Sequence, residues 1–109
     1  MFSRRRVLDA VSAGALLLLA VSPAAAVPHS YTVVIDKLKF GPMPVQLHKG
    51  DTIVWVNHDF FRHSATASDH SFDVDLPAGA TGKTVLNKTG TISFVCKYHP
   101  GMHGVLQVK

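Results

Sequence analysis

A single cysteine occurs in the sequence, so no disulfide can cross-link one chain to itself. No apolar run reaches the ~20 residues needed to span a bilayer; the candidate, Ala10 to Val21, falls short of it. After residue 26 no segment repeats apolar residues at helical spacing over a useful length, which argues against a helical fold. Basic residues interleaved with aromatics are also missing, so a nucleic-acid partner is not supported. There are no internal repeats and no linker-like stretch, and 109 residues bound the chain to one domain.

What is present begins with a leader pattern. Arg4, Arg5 and Arg6 precede the apolar run, which ends in Ser22-Pro23-Ala24-Ala25-Ala26. These are the charged, apolar and small-residue regions of a secretory signal. The reading predicts a signal peptide over 1–26, cleavage after Ala26, and a bacterial periplasmic location without stable membrane insertion after cleavage. A retained anchor is the alternative, and the short apolar run weighs against it. Ser3-Arg4-Arg5-Arg6-Val7-Leu8 resembles a twin-arginine signal, although an ordinary charged leader can hold the same arginines. The Ala- and Gly-rich middle favours the twin-arginine type, and Asp9 counts against it.

Without the leader, 8 Lys+Arg stand against 6 Asp, so the formal charge falls from +4 to +2. The remaining domain, 27–109, is small enough to be marginal without a staple. A lone thiol in an oxidising compartment also needs an explanation. A bound metal answers both.

Short runs of Val, Ile, Thr and aromatics recur between Gly, Pro, Asn and Asp. Extended segments are expected at 30–36, 44–48, 52–57, around 71–74, at 81–86, 91–96 and 104–109. Seven or eight short strands with this punctuation predict an all-β fold, a small antiparallel sandwich or barrel. In Thr91 to Cys96, a period of two puts Ile92, Phe94 and Cys96 on one face. Cys96 is therefore expected at the inner edge where its strand ends, shielded from bulk water yet open to the next loop.

That loop, Cys96-Lys97-Tyr98-His99-Pro100-Gly101-Met102, offers a thiolate, an imidazole and a thioether at intervals of three. Soft sulfur with imidazole suits copper, and no carboxylate lies in the loop to favour magnesium or calcium. Two imidazoles and a thiolate with a weak axial thioether describe a blue-copper centre. The loop supplies one histidine, and His63 is the best candidate for the second. It follows the apolar strand ending at Asn57 and the loop His58 to Arg62.

With these residues assembled, the mature chain resembles the cupredoxins, and among them the amicyanin branch. Trp55-Val56-Asn57 is followed by His63 six residues after the Asn, and two residues separate each pair of ligands in Cys96-x-x-His99-x-x-Met102. The plastocyanin and pseudoazurin branches have a longer gap before the methionine. The resemblance implies a Greek-key sandwich with one copper near one end, held by His63, Cys96, His99 and Met102, the ring edge of His99 lying close to the surface. It also implies single-electron transfer to and from redox partner proteins, a dehydrogenase or a cytochrome, by a monomer that is not an enzyme. One departure stands out: relatives carry Asn after the first histidine, where it ties the ligand loops together, and this chain has Ser64.

Other readings stay open. Cys96 alone would be a small buried hydrophobe, and Met102 alone a core filler. His48, His58 and His70 are expected at the surface. His103 could line the rim of the site or rival Met102. An N-terminal copper chelate at His29 is excluded, because Pro28 has no amide hydrogen to lose. Pro42, Met43 and Pro44 could join Pro100 and Met102 in an apolar patch around His99, or Met43 could pack under a loop. A copper chaperone or storage protein of the same fold is the alternative function, disfavoured by so few methionines. A copper enzyme with an open site and a structural zinc site complete the set.

Overall fold

The computed structural model describes residues 27–109; the expected leader, 1–26, lies outside the described residues. Eight strands follow in order: β1 (Ser30–Asp36), β2 (Lys39–Phe40), β3 (Thr52–Asn57), β4 (His63–Ala67), β5 (Asp73–Leu76), β6 (Thr81–Val85), β7 (Gly90–Val95) and β8 (His103–Val108). They form two four-stranded sheets, ordered β2-β1-β3-β6 and β5-β4-β7-β8. Among the described residues there is no helix, and the all-β sandwich is as expected. The ladders are antiparallel except β1–β3, which is parallel from Ser30↔Thr52 to Ile35↔Asn57.

Alternation accounts for the core. On β1 Val33 and Ile35 point inward, on β3 Ile53, Trp55 and Asn57, and on β7 Ile92 and Phe94, all buried. Aromatic rings bridge the sheets: Phe94 lies 4.8 Å from Phe40 and 5.2 Å from Trp55, both edge-on, the geometry ring quadrupoles favour. The indole N–H of Trp55 donates to Thr84 Oγ1 at 2.9 Å, so its one polar group is satisfied. Gly104 faces Phe94 across the β7–β8 ladder, and any Cβ there would run into the Phe94 ring.

Three expectations need correction. Pro44 to His48 is not a strand; only Leu47 makes an isolated bridge to Val108. The segments at β2 and β4 were not expected. Met43 and Pro44 line a groove with Val105, Gln107 and Val108, beside the start of β7 and the end of β8. That is the end of the hairpin opposite Cys96, so they take no part in a patch around His99. Met43 packs against the core instead.

A buried carboxylate fastens the other end. Asp51 is 2% exposed and accepts from the His29 amide at 2.9 Å and the His48 amide at 2.8 Å. These backbone hydrogen bonds, the His29 one foremost, hold its pKa below the usual carboxylate value against the opposing effect of burial. A depressed folded-state pKa gives stability that is present above pH ~3.8 and lost as pH falls through the folded value. Asp51→Ala strands two amides and should cost about 2–4 kcal/mol at neutral pH. Urea unfolding at pH 7 and pH 3 checks this, and the penalty should shrink at the lower pH.

Candidate metal centre

His63, Cys96, His99 and Met102 lie at one end of the sandwich because three strand ends meet there, with His63 beside both Cys96 and His99. His63 opens β4, Cys96 follows β7 directly, and Met102 precedes β8. Since β4 and β7 run antiparallel, the start of one lies beside the end of the other. Alternation turns Met102 inward and His103 outward: Met102 is buried, whereas His103 is exposed opposite Val95. His103 therefore does not rival Met102. The loop is closed by its own backbone, Cys96 N–H donating to Met102 C=O at 3.0 Å and Met102 N–H to His99 C=O at 2.8 Å.

His63 is fully buried. Its Nε2 lies 2.7 Å from Asp59 Oδ2, and that carboxylate also accepts from the Lys37 and Leu38 amides at 2.7 and 2.9 Å. Burial of Asp59 acts to raise its pKa, but the hydrogen bonds from Leu38, His63 and Lys37 together lower it. Asp59 is thus an ionised acceptor, to which His63 Nε2 donates. The other ring nitrogen, Nδ1, faces Cys96 Sγ at 3.7 Å. Asp59 also fastens a tight turn in which Lys37 and Leu38 both adopt positive φ, 52° and 60°, a conformation that side-chain-bearing residues adopt uncommonly. Sequence reasoning missed Asp59, whose position four residues before His63 was the one available signal.

Cys96 Sγ, 1% exposed, accepts from the Ser64 amide at 3.4 Å. Ser64 Oγ in turn accepts from the Lys97 amide at 2.9 Å, so the serine joins the segments that carry His63 and Cys96. His99 is half-buried, its ring 4.8 Å from that of His63 and 6.1 Å from that of Phe61. Phe61 is 56% and Phe60 96% exposed, so these two rings, not Met43, supply the apolar surface of the adjoining loop. Among the described residues no three His, Cys, Asp or Glu side chains are drawn together as a finished cage. The donor chemistry nonetheless suits copper: an imidazole nitrogen and a sulfur face each other, a thioether and a second imidazole lie on the same loop, and the nearest carboxylate is occupied elsewhere.

The chain belongs to the cupredoxin-like domain family, whose pattern matches residues 9–108. Within that class it is similar to amicyanin-alpha of Methylorubrum extorquens, 29% identical over 106 residues that cover 92% of this chain and 86% of the relative. Solved amicyanin structures share the fold. A reduced tryptophan-to-tyrosine mutant aligns with a TM-score of 0.66 at 20% identity, covering 73% of this chain and 82% of that one. The Cu(I) form of a methionine-to-alanine mutant aligns with a TM-score of 0.66 at 21% identity and the same coverage.

Proposed function

We propose that this chain is a periplasmic electron carrier that passes single electrons through one type 1 copper held by His63, Cys96, His99 and Met102. The observation that carries the reading is the buried pair in which His63 Nδ1 faces Cys96 Sγ at 3.7 Å while Nε2 donates to Asp59. Copper bound there would supply a one-electron couple between its cuprous and cupric states.

The chain's own residues account for the rest. The depth of His63, Cys96 and Met102 keeps bulk water from the ligands. The fold fixes three of the four ligand-bearing positions at strand ends, so little backbone motion need accompany a change of charge. Four protein ligands leave no ordinary inner position for a substrate, which supports a carrier over an enzyme. Beside the half-buried His99 ring lies Phe61, and it and its chain neighbour Phe60 offer an exposed apolar surface of the kind that marks interaction sites. Nearby charges are paired, Arg62 with Asp75 and Lys97 with Asp73, so the surface suits brief docking of a redox protein, a dehydrogenase or a cytochrome. The leader pattern over residues 1–26 and the similarity to amicyanin-alpha support export and a periplasmic location.

The test is the visible and paramagnetic-resonance spectrum of the protein with one equivalent of copper(II). Intense charge-transfer absorption with narrow copper hyperfine splitting is the expected outcome. A pale solution with an ordinary tetragonal copper spectrum would defeat the proposal.

A further inference from the structure

Only two residues, Lys97 and Tyr98, link Cys96 to His99, and both are exposed. An exposed link between two ligands invites local motion, yet each of these residues is fastened to the neighbouring strand β5. Asp73 and Asp75 lie two apart on that strand and so project from the same, outer face. Lys97 Nζ donates to Asp73 Oδ2 at 3.1 Å. The other oxygen of Asp73 accepts from Thr66 Oγ1 at 2.8 Å. Thr66 Oγ1 lies 2.9 Å from Ser64 Oγ, and with its own proton committed to Asp73 it accepts from the serine. Ser64 Oγ then accepts from the Lys97 amide, and the ring closes on the residue where it began.

Tyr98 is held differently. Asp75 accepts two bonds from Arg62, from Nε at 2.9 Å and from Nη2 at 2.5 Å, which fixes the plane of the guanidinium. The Arg62 Cζ sits 5.2 Å from the centre of the Tyr98 ring, within cation–π range. The Tyr98 hydroxyl lies 3.5 Å from Asp75 Oδ1.

We infer that Asp73 and Asp75 are positioning residues that clamp the Cys96–His99 link from outside, Asp73 through Lys97, Thr66 and Ser64, and Asp75 through Arg62 and Tyr98. This rests on the copper reading above for its purpose, though not for its geometry. The serine is extended by Thr66 to a carboxylate on the next strand. Exposed ion pairs add little to global stability, so the effect is local: the clamp restricts the link between the ligands and leaves the unfolding equilibrium nearly unchanged.

Three substitutions break the Asp73 ring at different charge: Thr66→Val changes none, Asp73→Asn removes a negative charge, and Lys97→Met removes a positive one. In copper-depleted protein, exchange of the Lys97 amide hydrogen should accelerate about tenfold or more in all three, with Ile92 and Phe94 in β7 unmoved. Arg62→Gln should free the Tyr98 side chain, read as a loss of rotamer order in its NMR side-chain couplings, and an unchanged rotamer would overturn the Asp75 arm. In copper-loaded protein, the electron self-exchange rate should fall about threefold or more in all three ring variants, since a looser link must reorganise more. Unchanged Lys97 exchange in Thr66→Val overturns the clamp. So does a silent Thr66→Val beside opposite changes in the two charge variants, which would leave electrostatics alone. If the unsubstituted protein gives no blue spectrum, the copper reading fails while the exchange measurement still decides the clamp.

Discussion

Cys96→Ser is expected to abolish the intense visible absorption of the copper-loaded protein altogether while the fold survives. The two halves of that result have separate causes. Absorption of this kind needs a thiolate bound to copper, and a serine hydroxyl stays protonated at neutral pH and is a hard ligand. The fold is spared because the oxygen replaces a sulfur of similar shape that already accepts from the Ser64 amide at 3.4 Å. A shorter reach weakens that hydrogen bond, for a cost of about 1 kcal/mol. Copper would still bind through imidazole, with the broad hyperfine pattern of an ordinary tetragonal site. Met102→Ala serves as the contrast: in the proposed ligand set its thioether would add little to the thiolate transition, so blue colour should persist there. Blue colour in Cys96→Ser would instead mean that the ligand assignment is wrong.

How much of this could be seen in the sequence depended on the range of the interaction. The inward row Ile92, Phe94 and Cys96 was legible because a period of two is a local rule, and all three are buried. The ligand candidates were legible because three of them fall within one short loop. By contrast β4, His63-Ser64-Ala65-Thr66-Ala67, has small and polar side chains and no alternation. It is a strand because β5 and β7 pair with it on either side, which no local pattern announces. Pro44 to His48 shows the opposite failure, since Leu47 is buried and Val45 87% exposed without a ladder to pair with. The Lys37-Leu38 turn lacks Gly or Asn despite two positive φ values, because a carboxylate 22 residues away holds it. Asp51 and Asp59 read as loop aspartates for the same reason: what they do is set by distant amides. His103 stood open as a rival to Met102 because alternation was not carried one residue beyond Met102, where it turns His103 outward.

Asn57→Ala should destabilise the copper-depleted protein by about 3–4 kcal/mol, among the largest single-residue effects in the chain. Asn57 is fully buried at the end of β3, and its side chain is the knot of the ligand end. Its Nδ2 donates to the carbonyls of Phe61 at 2.8 Å, Leu76 at 3.0 Å and Pro77 at 3.2 Å. Two hydrogens serve three acceptors, so one is shared. Its Oδ1 accepts from the Asp59 amide at 2.8 Å. Alanine removes all of these at once and strands buried backbone groups on two separate loops. One of those loops carries Asp59 and Phe61, so the orientation of His63 and the apolar surface beside His99 should loosen together. Urea unfolding checks the magnitude: the midpoint should fall with the slope unchanged, since the area exposed on unfolding is the same. Asn57→Asp separates hydrogen bonding from packing. It keeps the volume and the Oδ1 acceptor but turns a carboxylate oxygen toward three carbonyls, and should cost at least as much as alanine. An aspartate variant as stable as the parent would show that shape alone, and not the amide's donors, holds the two loops. A ligand that binds only the folded state stabilises it by an amount set by its affinity and concentration; under the copper reading the alanine variant should therefore gain as much apparent stability as the parent from a fixed copper excess if its affinity is intact. A smaller gain than the parent's would locate the damage at the ligands themselves, through the Asp59–His63 contact that Asn57 supports.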